Sequence, residues 1–123
     1  VYKRQIHGIE HVQLAMPPDR EADAVAFFVG VLGFTQVPKP AHLAVRGGCW
    51  FEAGNARLHL GVSPDFVPAT KAHPALLVRD LAELRRDLDA KGVETVDDQP
   101  LEGFDRCYLH DPFGNRIELM QPV

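Results

Sequence analysis

The feature that most constrains this 123-residue sequence is an internal repeat with a period of about 60 residues. Five landmarks recur at nearly the same offset. The pairs, with their offsets, are His11 and His73 (62), Gly33 and Gly92 (59), Cys49 and Cys107 (58), Asn55 and Asn115 (60), and His59 and Glu118 (59). Two copies of this length are too few and too long for a solenoid, so the repeat predicts a duplicated module.

Each copy has the hydrophobic pattern of a strand, a helix and further strands. In the first copy, we predict strands at 9–16, 34–37, 49–52 and 57–62, an additional weak strand at 41–45 and a helix at 22–32. In the second, we predict strands at 73–78, 93–96, 106–109 and 116–121 and a helix that begins at Asp80. The predicted fold is therefore α+β, with two βαβββ modules that form a cupped mixed sheet around a central cleft. We expect one domain over residues 1–123, with modules at about 6–62 and 72–121 and a connector at about 63–70.

The last strand follows a dense turn signal, Asp111-Pro112-Phe113-Gly114-Asn115. Behind this turn, Ile117 and Leu119 alternate with Glu118, as on a strand with one apolar face. The turn therefore delivers a carboxylate onto a rigid strand, on the face away from the core.

Composition narrows the classes of partner. The net charge of -4 gives no reason to expect nucleic acid or an acidic membrane surface. No apolar run approaches the ~20 residues that span a bilayer, and residues 1–5 lack the apolar core of a signal peptide. Two cysteines, Cys49 and Cys107, do not make a disulfide framework. We therefore expect a cytoplasmic protein that binds neither nucleic acid nor membrane.

Four polar residues occupy repeat-equivalent positions and are the candidate metal ligands. His11 and His73 open the first strand of each copy, and His59 and Glu118 lie midway along the last. If a rough two-fold axis relates the modules, these side chains converge on one point. Three imidazoles and one carboxylate suit a divalent metal such as Zn, Ni, Co, Mn or Fe(II). The other histidines, His7, His42 and His110, have no such partner and are interpreted as structural.

These residues resemble the vicinal oxygen chelate superfamily, which includes glyoxalase I, bleomycin-binding proteins, fosfomycin-resistance proteins and extradiol dioxygenases. The resemblance covers nearly the whole chain and is most specific at 11–14, 27–34 and 111–119. It implies paired βαβββ modules around a metal, with His11, His59, His73 and Glu118 as ligands and Glu118 as the candidate base. It also implies a homodimer and a small substrate that chelates the metal through adjacent oxygens. The metal site could form within one chain or across two.

The resemblance leaves the activity open among three classes. We expect a small metal-dependent enzyme, isomerase- or lyase-like, on an unidentified oxygen-bearing substrate. His59 stands where glyoxalase I commonly has a glutamate, which favours a divergent relative. Fosfomycin-type thiol transferases typically use two histidines and one glutamate, a set that His11, His73 and Glu118 could supply. The remaining alternative is a non-enzymatic protein that binds a drug or metabolite, as in bleomycin resistance.

Overall fold

The structure is a computed structural model that describes residues 5–123, so the first four residues of the predicted domain lie outside it. The strands are β1 (Val12–Met16), β2 (Thr35–Val37), β3 (Cys49–Ala53), β4 (Ala56–Val62), β5 (Ala75–Leu77), β6 (Phe104–His110) and β7 (Arg116–Pro122). The helices are α1 (Glu21–Phe28), α2 (Ala41–Ala44) and α3 (Leu81–Ala90). Among these residues, no helix is long and apolar enough to cross a membrane.

The strands form two mixed sheets with the same local topology. In the first sheet the order is β1-β4-β3-β2, with β1 parallel to β4 and the other pairs antiparallel. In the second sheet the order is β5-β7-β6, with β5 parallel to β7 and β6 antiparallel to it. The first strand of each repeat thus pairs with the last. The predicted α+β class with mixed sheets is confirmed.

The two sheets share one hydrophobic core through the faces that carry the helices. Leu14, Leu58 and Phe51 of the first sheet pack in the same buried cluster as Ile117 and Leu119 of the second. The helices complete this cluster with Phe27 and Phe28 from α1 and Leu81 and Leu88 from α3. The strand residues that alternate with these apolar positions lie on the outer faces, away from the shared core.

The first strands of the two modules are shorter than predicted, so His11 and His73 precede β1 and β5 rather than open them. Three further predicted elements differ from the structure. Residues 41–44 form one helical turn rather than a strand, because Pro40 caps a short segment whose alanines and leucine favour helix. Val96 makes only an isolated bridge to Tyr108, so the predicted strand at 93–96 is wrong in extent. The first helix ends at Phe28, not at residue 32, and the chain then turns toward Gly33, whose φ of +80° suits glycine. With α2 in place of a strand, the first module has the order βαβ, a helical turn and ββ.

Candidate functional site

The turn before β7 fixes the position of Glu118 through a buried polar network. The Asp111 carboxylate accepts the backbone N–H groups of Phe113 and Asn115, each at 2.9 Å. Burial raises the pKa of this carboxyl, while its hydrogen bonds, first with Asn115, oppose the shift. The Asn115 amide in turn donates to the carbonyl of Ala15, at the far end of β1, at 2.8 Å. The turn therefore ties the second module to the first and sets the register of β7.

Glu118 lies at the centre of a compact cluster on the outer face of the second sheet. We call its four members, His73, Arg106, Tyr108 and Glu118, the glutamate cluster. The Glu118 side chain is only 8% exposed, and its Oε1 lies 3.0 Å from His73 Nε2. Its Oε2 accepts a hydrogen bond from Arg106 Nη1 at 3.0 Å. The same nitrogen donates to the Tyr108 hydroxyl at 2.9 Å, so both carboxylate oxygens are engaged.

The hydrogen-bond partners of His73 define which of its nitrogens is free to bind a cation. His73 Nδ1 lies 2.8 Å from the carbonyl oxygen of Lys71, which can only accept, so Nδ1 carries a proton. Nε2 then faces the acceptor Glu118 Oε1. A neutral imidazole would bring two lone pairs together there, so the contact requires either a second proton or a cation between the two atoms. A carbonyl that fixes the outer nitrogen is also the usual support of a metal-binding histidine.

The first sheet carries a different arrangement, a stack of three rings across its outer face. We call it the ring stack: His11, His59 and Trp50. The His59 ring lies between the other two, with its centroid 4.0 Å from that of His11 and 4.2 Å from that of Trp50. Burial is the largest cause that lowers the pKa of His59, followed by the neighbouring His11, whereas Glu10 raises this pKa by more than Lys39 lowers it.

The ring stack restricts how its histidines can bind a metal. A metal-bound imidazole holds the ion in its own ring plane, along the nitrogen lone pair. The His11 and His59 planes are 17° apart at a centroid separation of 4.0 Å, so they do not meet within bonding distance of the rings. One of the two rings would have to rotate before both could bind the same ion.

The structure therefore brings the four predicted ligands together as two separate pairs. Among residues 5–123, no three His, Cys, Asp or Glu side chains are grouped closely enough to hold an ion. His11 and His73 do border one cavity of about 380 Å³ that runs between the starts of β1 and β5. A pocket of about 640 Å³ covers the ring stack and is lined by the first module alone. Each module thus supplies half of the predicted set, on an outer face.

Arg106 is the site residue that sequence reasoning missed. Its side chain is 14% exposed, and it joins Glu118 to Tyr108 and to the carbonyl of Gln99. The signal was present, since Arg106 and Tyr108 are two residues apart on one strand and share a face. A basic residue on a strand is ordinarily solvent-exposed, which is why the pattern did not single it out. The two neighbouring aromatic residues of β3 lie in different places: Trp50 lines the pocket, whereas Phe51 is fully buried in the core.

The sequence and the structure both match those of known proteins. The family model described as Glyoxalase/Bleomycin resistance protein/Dioxygenase superfamily matches residues 8–119. A crystal structure described as a glyoxalase family protein from Bacillus anthracis is 43% identical, with a TM-score of 0.96, and the match covers 99% of this chain and 100% of that one. No curated protein matches the sequence.

Two more distant structures share the fold. The fosfomycin resistance protein FosX from Listeria monocytogenes is 17% identical with a TM-score of 0.70, over 97% of this chain and 94% of that one. TnmS3, an antibiotic binding protein from Streptomyces sp. CB03234, is 21% identical with a TM-score of 0.75, over 98% and 100% of the two chains. Proteins of this fold therefore include both resistance proteins and binding proteins.

Proposed function

The chain belongs to the Glyoxalase/Bleomycin resistance protein/Dioxygenase superfamily, and from that premise we propose that it is a small metal-dependent enzyme. Members of this superfamily typically hold a divalent metal and act on or bind small molecules. We propose that His73 and Glu118 of one chain, with His11 of a second copy, hold the ion. His59 of that second copy would be the fourth ligand once its ring has rotated.

The contact between His73 and Glu118 carries this proposal. Two ligand atoms bound at about 2.1 Å and at a right angle lie about 3.0 Å apart, and His73 Nε2 lies 3.0 Å from Glu118 Oε1. Because Nδ1 is occupied by the Lys71 carbonyl, the Nε2 lone pair and the carboxylate point at the same space. An imidazole and a carboxylate suit a first-row divalent ion without selecting one.

A two-fold dimer would complete the ligand set. The ring stack and the glutamate cluster lie on outer faces of a shared core, and β1 and β5 are edge strands of their sheets. In a symmetric dimer, the outer face of the first module of each copy would face the outer face of the second module of the other copy. The two-fold symmetry creates two such contacts at once. Leu77 on β5 is 76% exposed, which is consistent with a surface that another chain covers.

The chain's own residues then have distinct roles in the reaction. The metal, when bound, would act as a Lewis acid toward an oxygen of the substrate. Arg106 holds Oε2 of Glu118, which leaves Oε1 as the single coordinating atom. Glu118 is also the proposed base, a role that requires the ion pair with Arg106 to open before Oε2 can accept a proton. The substrate class is a small molecule that presents neighbouring oxygens.

Metal analysis of untagged protein tests the proposal. We expect about one bound divalent ion per chain after incubation with Ni, Co, Mn or Zn and removal of the excess. His73→Ala removes a ligand and should abolish retention, whereas His110→Ala, at an exposed position, should not. Less than about 0.2 ions per chain in the wild type, under every metal, would rule out the metal-dependent enzyme.

One observation favours the alternative, a protein that binds a drug or metabolite without metal. Hydrogen bonds from Arg106 to Oε2 and between His73 and Oε1 satisfy the Glu118 carboxylate with no ion present. Saturable ligand binding in a protein that retains no metal would support this class. In either case we propose a cytoplasmic protein, since Cys49 and Cys107 are buried and unpaired, as is usual in a reducing compartment.

A further inference from the structure

The pocket over the ring stack has a charge opposite to that of the chain. Three cations line it, Lys39, Arg46 and Arg57, against two acids, Glu10 and Glu52, while the whole chain carries a net charge of -4. Both acids are paired with Arg57, through contacts of its Nη1 with Glu10 and of its Nε with Glu52. Lys39 and Arg46 take part in no salt bridge among residues 5–123.

The loop that carries Arg46 is held firmly against the sheet. Lys39 Nζ donates to the carbonyl of Gly47, and the N–H of Gly48 donates to Glu21 Oε2 at 2.9 Å. Gly48 has a φ of +87°, and a Cβ there would lie 2.0 Å from the carbonyl oxygen of Leu60. Only glycine allows this approach. Lys39 and Arg46, which both line the pocket, therefore lie beside a backbone that these contacts hold in place.

We propose that this pocket binds the anionic group of a small organic ligand, a carboxylate or phosphonate, between Lys39 and Arg46. The uncharged part of the ligand lies over Trp50 and Leu43, which line the same pocket. The proposal rests on the proposed function, since the pocket includes His11 and His59, and it specifies the substrate class of that site as anionic. A guanidinium and an ammonium without acidic partners are the groups that bind such oxyanions.

Trp50 is the only tryptophan in the chain, so its fluorescence reports on this pocket directly. The titration uses protein stripped of metal with EDTA and then dialysed free of the chelator, with three matched probes: butylphosphonate, pentanoate and the neutral pentanamide. We expect saturable changes with the two anions and none with the amide. Binding of the anions should weaken as ionic strength rises from about 0.01 M to about 0.15 M, because the Debye length falls from about 30 Å to about 8 Å.

Substitutions distinguish direct binding by Lys39 and Arg46 from a general effect of the protein's charge on anions. Lys39→Gln and Arg46→Gln should each weaken anion binding about tenfold, as expected for the loss of one charged hydrogen-bond donor. Arg86→Gln removes an exposed cation on α3 that does not line the pocket, and it should leave binding unchanged. Circular dichroism of each variant checks the fold. Because Lys39 also supports the Gly47 loop, Arg46→Gln is the cleaner test.

The outcomes distinguish this inference from the proposed function. If pentanamide binds as tightly as the anions, or if neither variant weakens their binding, the anion site is refuted even when the protein retains metal. Preference for one anion over the other assigns the ligand as a phosphonate or a carboxylate. Anion binding with the expected variant effects supports the site even when no metal is retained.

Discussion

Asn115→Ala tests how the two modules are joined. The Asn115 side chain is 1% exposed and makes three hydrogen bonds. Its Nδ2 donates to Ala15 O and to Asp111 Oδ2, both at 2.8 Å, and its Oδ1 accepts from Ala69 N at 3.0 Å. These bonds link β1, the connector and the turn before β7 through one amide. Alanine removes all three and leaves two backbone groups unpaired.

The expected loss of stability follows from these bonds. Each contributes about 1 kcal/mol net, and the unpaired carbonyl and N–H groups add their desolvation penalty. We therefore expect the free energy of unfolding to fall by at least about 3 kcal/mol. At an m-value of about 1.5 kcal/mol/M, the urea midpoint falls by at least about 2 M.

Urea denaturation followed by circular dichroism measures this loss, and the repeat supplies a matched control. Asn55 occupies the equivalent turn of the first module but is exposed, so Asn55→Ala should change stability by less than about 0.5 kcal/mol. Equal effects of the two substitutions, or a loss below about 1 kcal/mol for Asn115→Ala, would refute the reasoning that this amide joins the modules.

Three further predictions concern the charged and buried groups. Arg106→Gln leaves the buried Glu118 without its cation, so the apo variant should be less stable than the wild type. Added Zn²⁺ should then raise the melting temperature of the variant more than that of the wild type, and equal shifts would contradict the pairing. The pKa of His59 is lower in the folded state than its usual value, so the folded state resists protonation, and the contribution of neutral His59 to stability is present above about pH 6.5 and is lost as pH falls below that value. His59→Gln should reduce the pH dependence of the free energy of unfolding, measured from denaturation curves between about pH 5 and 7.5. An unchanged pH dependence would contradict the assignment. Burial raises the pKa of both cysteine thiols, so a thiol reagent should label Cys49 and Cys107 only in denaturant; rapid labelling of folded protein would contradict their burial.

Much of the fold follows from local signals in the sequence. Alternation of apolar residues located β4 and β7. The repeat placed His11 and His59 in one module and His73 and Glu118 in the other, and the structure brings the two residues of each module into contact. The predicted strand at 41–45 was wrong because the apolar pattern of so short a segment does not distinguish a strand from a helical turn after proline. The predicted strand at 93–96 was wrong because this short, largely exposed segment forms only one bridge to a neighbouring strand.

The candidate site was less predictable for a different physical reason. The spacing of residues on a strand specifies a face, and it placed Glu118 on the outer face of β7. It does not specify which charged neighbours reach that face, so the ion pair with Arg106 went unseen. Nor does it specify whether the two modules turn their polar faces toward one another, since that depends on packing between the helices and both sheets.

A mixing experiment tests the central claim, a metal site shared by two chains, most directly. His11→Ala and Glu118→Gln each remove one ligand from a different module, and neither variant alone should retain metal. After the two are unfolded together, refolded and purified, half of the dimers carry one intact site, so we expect about one ion per four chains. No retained metal in the mixture, with about one ion per chain in refolded wild type, would contradict a shared site.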